Sequence, residues 1–228
     1  MSSNSKTQLK KDSVSNASPK TLLITLVCIS FLLWIFYRAL FNFSVLFDET
    51  VGKAIFFGLP VLIYVNCIKD KQIFKTIKPS NLFPGLLRGL AYGGMFGFVV
   101  VVASLLKSGR SIMAVPVFIV DEFWYEFFLA LLTAFWESLF FFGFIQIIIG
   151  KVFKQIKPVD KIMLVSFIFL LFHLPNIILR FNGYDVSFLT LLLYLFGLGQ
   201  AIIFEKERNI YTIMMTHAIW GLALMIHL

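Results

Sequence analysis

The sequence predicts an all-α polytopic membrane protein, a bundle of about seven transmembrane helices. Its 228 residues are 59% hydrophobic and 14% charged, whereas a soluble domain is about 45 to 50% apolar and about a quarter charged. The apolar runs are ~17 to 24 residues long, the length of helix that crosses a ~30 Å hydrocarbon core. They are not the alternating segments of ~10 residues that indicate a transmembrane barrel.

A polar, basic segment precedes the predicted spans. Residues 1–20 are rich in serine, asparagine and lysine and predict a disordered cytoplasmic tail, because such a composition cannot bury a core. Residues 21–228 form the predicted seven-helix domain, and residues 117–228 carry its polar motifs. The acidic and aromatic segment 117–128 predicts an interfacial turn or a helix extension. The predicted spans are 21–43, 51–68, 86–106, 127–149, 161–181, 186–204 and 210–227.

The basic residues predict the orientation of the bundle. With the N-terminus in the cytoplasm, fifteen lysines and arginines fall in inward-facing segments and five on the outer side. The positive-inside rule therefore predicts a multi-pass protein with a cytoplasmic N-terminus. A bacterial plasma membrane is the expected location. Because the positive charge lies in short loops, we expect a lipid bilayer and no nucleic acid as partner. The five outer cations are Arg38, Lys53, Lys107, Arg110 and Arg180.

Four glycines recur at intervals of four in the third span, at positions 85, 89, 93 and 97. Such glycines line one helix face and let a neighbouring backbone approach closely. Close helix packing is the favoured interpretation. The alternative is that the bare face leaves room for an extended substrate peptide, and the sequence alone does not separate the two.

Three ionisable residues lie well inside predicted spans: Glu137, His173 and His217. A charged side chain at the bilayer centre costs about 2.5 to 3.5 kcal/mol on insertion scales, so such residues are rare and usually functional. At ~1.5 Å per residue, Glu137 and His173 each lie ~18 Å from the inner end of their spans and His217 ~10 Å. The three depths allow one shared site.

A carboxylate and two imidazoles can together hydrolyse a peptide bond. The carboxylate can activate water, while neutral imidazoles can orient it, donate to an oxyanion or ligate a divalent metal. The compact helical H-E-x-x-H motif is absent, so the site would be assembled from three helices. Each residue also has a structural interpretation: Glu137 as a neutral packing group, His173 as a donor to a carbonyl freed by Pro175, and His217 as an interhelical hydrogen bonder.

These segments resemble the CPBP intramembrane protease family, also called the Abi or type II CAAX prenyl endopeptidase family. The family's first motif, E-E-x-x-x-R followed by glycine, is similar to Glu137–Gly143. Its second, F-x-x-x-H, matches Phe169–His173. Its third, H-x-x-x-N or D, aligns with His217–Gly221 at the histidine. The resemblance covers residues 45–225 in layout, and the last hundred residues carry the motifs.

The resemblance implies an intramembrane endopeptidase in which Glu137 and His173 activate water and His217 stabilises the oxyanion or ligates a metal. If a metal such as zinc is used, His173 and His217 are its expected ligands. The implied substrate is a membrane-associated peptide or protein, including a prenylated CAAX-type one.

The chain departs from the family motifs at three positions. Ser138 replaces the second glutamate, Phe142 the arginine and Gly221 the asparagine; Asn176, one turn after His173, is a candidate replacement for that asparagine. These departures leave open a catalytically inactive scaffold or immunity-type membrane protein. A transporter or channel is disfavoured, because the sequence has no inverted repeat and no paired interrupted helices.

Overall fold

The protein is described here by a computed structural model that covers residues 18–108 and 121–227. Within these ranges the chain forms helices and short turns and no strand, which confirms the predicted all-α class. The helical segments in chain order are α1 (Pro19–Leu40), α2 (Val45–Ile68), α3 (Leu82–Ser108), α4 (residues 121–152), α5 (Pro158–Arg180), α6 (Tyr184–Glu207) and α7 (Ile210–His227).

Six of these segments are long and apolar enough to cross a membrane, by length and composition. The seventh, α7, contributes the shorter apolar helix Ile210–Ala223. The protein is therefore a multi-pass integral membrane protein, as predicted, with six clear spans and a seventh helix that packs among them.

The helix ends differ from the predicted ones where side chains cap them. The helix α1 begins at Pro19 rather than 21, because the Ser18 hydroxyl accepts a hydrogen bond from the Thr21 N–H at 3.1 Å. Similarly, Ser44 caps the start of α2, six residues before the predicted span. Residues 1–17, most of the predicted disordered tail, lie outside the described residues.

The helix α4 begins at residue 121 rather than 127, so residues 121–128 form a helix extension. The other residues of the predicted interfacial segment lie outside the described ranges. Past Ser138, α4 widens into the π-helical stretch Leu139–Gln146 before Ile147–Val152. The helix α2 has π-helical turns at Asp48–Gly52 and Ala54–Gly58. Such wide turns occur frequently at functional sites.

The glycine face of α3 packs against α7. A methyl group added at Gly89 would lie 2.6 Å from the Met215 Cβ and from the Thr212 carbonyl oxygen, and one at Gly93 would lie 2.7 Å from Ile219. The close-packing interpretation is confirmed. The alternative, a bare face left for a substrate peptide, is wrong because α7 fills that space.

The core lies between the helices at the level of the π-helical stretch of α4. Aromatic rings dominate it, with centroid separations of 5.1 to 5.9 Å between neighbours of the cluster. This packing fixes α4 against α2 and α5 immediately below Glu137. The rings belong to Phe57, Phe140, Phe141, Phe144, Phe169 and Phe172.

Candidate active site

The three predicted site residues come together inside the bundle. Glu137 lies on α4, His173 on α5 and His217 on α7. Oε2 of Glu137 lies 3.2 Å from Nε2 of His173 and 3.5 Å from Nε2 of His217. One ligand atom from each residue lies within 4.8 Å of the others. These three residues, which are distant from one another in the sequence, therefore form one polar group.

The group is shielded from the surface. Glu137 is 2% exposed and His217 is 7% exposed, while His173 is partly buried. Rings of Phe169 and Phe196 lie 4.2 Å from His173 and 5.3 Å from His217, measured between centroids. Such apolar walls lower the local dielectric, so charges inside the group interact strongly.

The ring orientation of His173 is set by its own helix. Its Nδ1 lies 2.8 Å from the carbonyl oxygen of Phe169, and a carbonyl oxygen can only accept, so Nδ1 carries the proton. Pro175 frees the carbonyl of Leu171, so the carbonyl of Phe169 that His173 contacts is not the one that the structural interpretation expected.

The proton on Nδ1 determines how Nε2 of His173 interacts with Glu137. In the neutral ring with a protonated Nδ1, Nε2 presents a lone pair toward the carboxylate. Two acceptors 3.2 Å apart attract only when a proton or another cation lies between them. The arrangement is therefore suited to hold a proton or a metal ion at the meeting point of the three residues.

A fourth ionisable residue, Lys53 on α2, joins the group and was not predicted. Its ammonium group donates to Oε1 of Glu137, and the side chain is 7% exposed. The indole of Trp34 and the ring of Phe57 face the ammonium at 5.1 and 5.4 Å. Lys53 thus compensates the charge of Glu137 in a site that solvent barely reaches.

The prediction of Lys53 as an outer, orienting cation was wrong because α2 starts six residues earlier than predicted. The added turns move Lys53 from the end of the span into the bundle. One signal was available in the sequence: Glu49 and Lys53 are spaced i, i+4, the spacing of ion pairs on a helix, and their charged groups lie 4.0 Å apart.

The three positions that depart from the family motifs have different surroundings. Phe142 packs between Phe169 and Phe204, with centroids 5.9 and 6.3 Å away, so an aromatic ring fills the place of the arginine. The hydroxyl of Ser138 is buried and has no hydrogen-bond partner among the described residues. No atom of the residues that the structure describes lies within 4 Å of a Cβ added at Gly221.

A cavity of about 380 Å³ reaches the group from the side opposite the lysine-rich turns. We call it the outer cavity. The first turns of α2, the first half of α4 and the middle of α7 line it, and among the lining residues are Glu49, Glu126, Thr133, His217 and Gly221. Because His217 lies in its wall, the outer cavity connects the buried group with water.

The residues present fit a divalent metal in part. Two ligands of a tetrahedral zinc lie about 3.3 to 3.4 Å apart, close to the 3.2 and 3.5 Å between Glu137 and the two imidazoles. The His173 Nδ1 bond to a carbonyl is the support that metal-ligating histidines usually have, while Nδ1 of His217 has no such partner in the described part of the chain. The positive charge of Lys53, which is paired with Glu137, disfavours binding of a metal cation at the same carboxylate.

Fold and site together define a multi-pass helical membrane protein with a buried Glu/His/His group open to water on one side. Residues 119–223, which include all three residues, match the family model described as type II CAAX prenyl endopeptidase Rce1-like. This match supports membership in the CPBP family of intramembrane proteases, the family that the motifs predicted. This membership supports a CAAX-type intramembrane protease that acts on a membrane-associated substrate. Comparisons with curated proteins and with solved structures gave no match.

Proposed function

We propose that the chain hydrolyses a peptide bond near the lipidated C-terminus of a membrane-associated protein, in a bacterial plasma membrane. One observation carries the proposal: the Glu137 carboxylate meets both imidazoles within 3.5 Å inside a sequence that matches a prenyl endopeptidase family. A base and two imidazole groups at one point meet the chemical needs of amide hydrolysis.

Each residue has a proposed role. Glu137 accepts a proton from the attacking water, and His173, held by the Phe169 carbonyl, orients that water. His217 donates to the oxyanion from the wall of the outer cavity, where its Nδ1 is unpartnered. Asn176, one turn after His173, is a proposed second donor through its Nδ2 amide group; its Oδ1 is buried and has no hydrogen-bond partner among the described residues. Lys53 holds Glu137 in position through Oε1.

Bound zinc would supply Lewis-acid activation of water at His173 and His217. A zinc bound there would compete with the role of Glu137 as a free base. Cleavage measured with and without a chelator, together with the metal content of the purified protein, decides between the two schemes.

The test is cleavage of a quenched fluorescent peptide that carries an S-farnesyl cysteine followed by three residues. In proteoliposomes, Glu137→Gln is expected to lower kcat at least a hundredfold, because a general base contributes about 10² to 10⁴. Glu207→Gln, the same change in the ion pair with Arg88 at the other end of the bundle, is the matched control. Normal cleavage by Glu137→Gln would contradict the proposal.

A catalytically inactive scaffold is the second candidate. Oε1 of Glu137 is already bound by the Lys53 ammonium, and Phe142 fills the place of the family's arginine. If the wild-type protein cleaves none of the prenylated peptides, and if Glu137→Gln, His173→Ala and His217→Ala all keep the cellular phenotype, the scaffold function is favoured.

A further inference from the structure

A second cavity, of about 630 Å³, lies at the end of the bundle that carries the lysine-rich turns, and we call it the inner cavity. The segment between α2 and α3, the end of α4, the first turn of α5 and the turn after α6 line it. The positive-inside rule places this end of the bundle in the cytoplasm. Of the described residues that line it, five are cations and one is a carboxylate: Lys75, Lys78, Lys151, Lys161, Arg208 and Glu207.

Three of these cations share two carboxylates that do not line the cavity. The Lys151 ammonium donates to Asp70. Lys161 and Arg208 both donate to the same oxygen, Oε1 of Glu205, at 2.7 and 2.9 Å. The positive charge of these three residues is therefore compensated only in part.

The other two cations, Lys75 and Lys78, are exposed and form no ion pair with any described residue. Asp70 interacts electrostatically with Lys75, but it already accepts a hydrogen bond from another lysine of the lining. Glu207 is bound to Arg88, which does not line the cavity. Six cations, Arg88 included, thus share three carboxylates, which leaves three positive charges at the inner cavity.

The positive-inside rule already accounts for lysines at this end, so a second observation, a buried amide, is needed to indicate a ligand. Gln146 is fully buried and lines the inner cavity. Its Nε2 donates to the Ala201 carbonyl oxygen at 3.0 Å and to Glu205 at 2.9 Å, which fixes the orientation of the amide. Its Oε1 has no hydrogen-bond partner among the described residues. A buried acceptor without a partner is rare in proteins and needs an explanation.

The two observations define the chemistry of a ligand. Lysine ammonium groups bind phosphate oxygens as point charges, and an amide oxygen accepts a hydrogen bond from a hydroxyl. A phosphate diester that also carries hydroxyl groups meets both needs. The volume of the inner cavity, about 630 Å³, suits such a group, since ligand sites measure about 300 to 1,000 Å³.

The position of the inner cavity indicates where such a phosphate comes from. The helix α4 ends at Val152 and α6 at Glu207, and transmembrane helices end at the level of the lipid headgroups. Basic pockets between transmembrane helices on the cytoplasmic side bind anionic headgroups. A phospholipid of the cytoplasmic leaflet is therefore the source that the position favours.

We propose that the inner cavity binds the headgroup of an anionic phospholipid, with its phosphate at Lys75 and Lys78 and a headgroup hydroxyl that donates to Oε1 of Gln146. Phosphatidylglycerol has this chemistry. The site is distinct from the candidate active site, because Gln146 lies nine positions after Glu137 on α4, about 13 Å along a helix. The proposal therefore does not depend on the peptidase function.

Binding to the purified full chain in a neutral detergent, measured by calorimetry with three short-chain lipids, tests the proposal. Phosphatidylglycerol is anionic and has hydroxyls, phosphatidylmethanol is anionic without a hydroxyl, and phosphatidylcholine has neither net charge nor hydroxyl. We expect phosphatidylglycerol to bind about tenfold more tightly than phosphatidylcholine, with phosphatidylmethanol between them. Equal Kd values for the two anionic lipids would overturn the contact with Gln146, and equal values for all three would overturn the site.

Lys75→Gln/Lys78→Gln should raise the Kd for phosphatidylglycerol about tenfold and leave that for phosphatidylcholine unchanged. The matched control is Lys71→Gln/Lys154→Gln, which removes the same charge from two exposed lysines at the same end of the bundle that do not line the cavity. The control should bind phosphatidylglycerol as the wild-type protein does. An equal loss in both double variants would indicate general attraction to a basic surface and overturn the site.

Free glycerophosphoglycerol, the same headgroup without acyl chains, identifies the source of the phosphate. The lipid is supported as the ligand if this compound leaves phosphatidylglycerol bound at concentrations at which the lipid itself saturates the protein. If the free headgroup binds as tightly as the lipid, the inner cavity is a site for a soluble phosphate ester, and the membrane as its source is wrong.

Discussion

At the residue scale, the ion pair between Lys53 and Glu137 links the two halves of the chain. Lys53 lies outside the segment that matches the family model, and Glu137 lies inside it. Removing one partner of a buried pair leaves an uncompensated charge, which destabilises a protein by about 3 to 5 kcal/mol. The pair therefore affects both the stability of the bundle and the position of the candidate base.

We expect Lys53→Met to lower the free energy of unfolding by about 3 to 5 kcal/mol and to reduce kcat strongly, because Glu137 loses the partner of Oε1. Lys53→Arg keeps the positive charge and should therefore retain part of the stability and part of the activity that Lys53→Met loses. The double variant Lys53→Met/Glu137→Gln should regain much of the stability without activity. Thermal unfolding in detergent and peptide cleavage measure the two effects; a fully active Lys53→Met variant would show that Lys53 has no role in the site.

The sequence predicted Glu137, His173 and His217 correctly as a group because each is an isolated polar residue in a long apolar run. It did not predict Lys53, since a lysine near the end of an apolar run has the same appearance as an interfacial cation. The distinction depends on six residues of helix that the Ser44 cap adds to α2, which hydropathy does not report.

At the scale of single elements, α3 positions α7 and therefore His217. The glycines of α3 allow a backbone approach so close that an added methyl at Gly89 would contact the Thr212 carbonyl oxygen. Thr216, next to His217, also donates to the Gly89 carbonyl oxygen at 3.3 Å. The helix α3 carries no candidate catalytic residue, yet its contacts with α7 determine where along the bundle His217 lies.

We expect Gly89→Ala to destabilise the protein by about 1 to 3 kcal/mol, the usual effect of overpacking, and to lower kcat through displacement of His217. Gly94→Ala is the control on the same helix, because nothing lies within 4 Å of its added methyl. For both variants, thermal unfolding measures the stability and the cleavage rate measures the activity. Equal stability of the two variants would contradict the close contact between α3 and α7.

The periodic glycines predicted this packing, because a four-residue repeat needs only local geometry to interpret. The π-helical stretches of α2 and α4 were not predictable in the same way. They lie where Trp136 of α4 packs closely against Gly58 of α2, and a contact between residues so distant in sequence leaves no periodic signal in the chain.

At the scale of the whole molecule, the distribution of charge predicts which side of the membrane each turn faces. The turn after α2 contains Lys71, and the turn after α5 contains Asn182, and both residues are exposed. The positive-inside rule places Lys71 in the cytoplasm and Asn182 outside. The acidic outer cavity then opens to the outer side.

Cysteine labelling in intact cells tests this orientation. After replacement of Cys28 and Cys67, which are free thiols, a membrane-impermeant maleimide should label Asn182→Cys directly. It should label Lys71→Cys only after permeabilisation. The opposite pattern would invert the bundle and place the outer cavity on the cytoplasmic side.

The ion pair between Lys53 and Glu137 also constrains how the chain is made. The two residues lie 84 positions apart, so α2 leaves the ribosome long before α4 does. During that interval the ion-pair partner of Lys53 among the described residues of its own helix is Glu49, one turn away. Because the carboxylate that compensates Lys53 is made later, we expect α2 to reach its final position in the bundle only after α4 has been inserted.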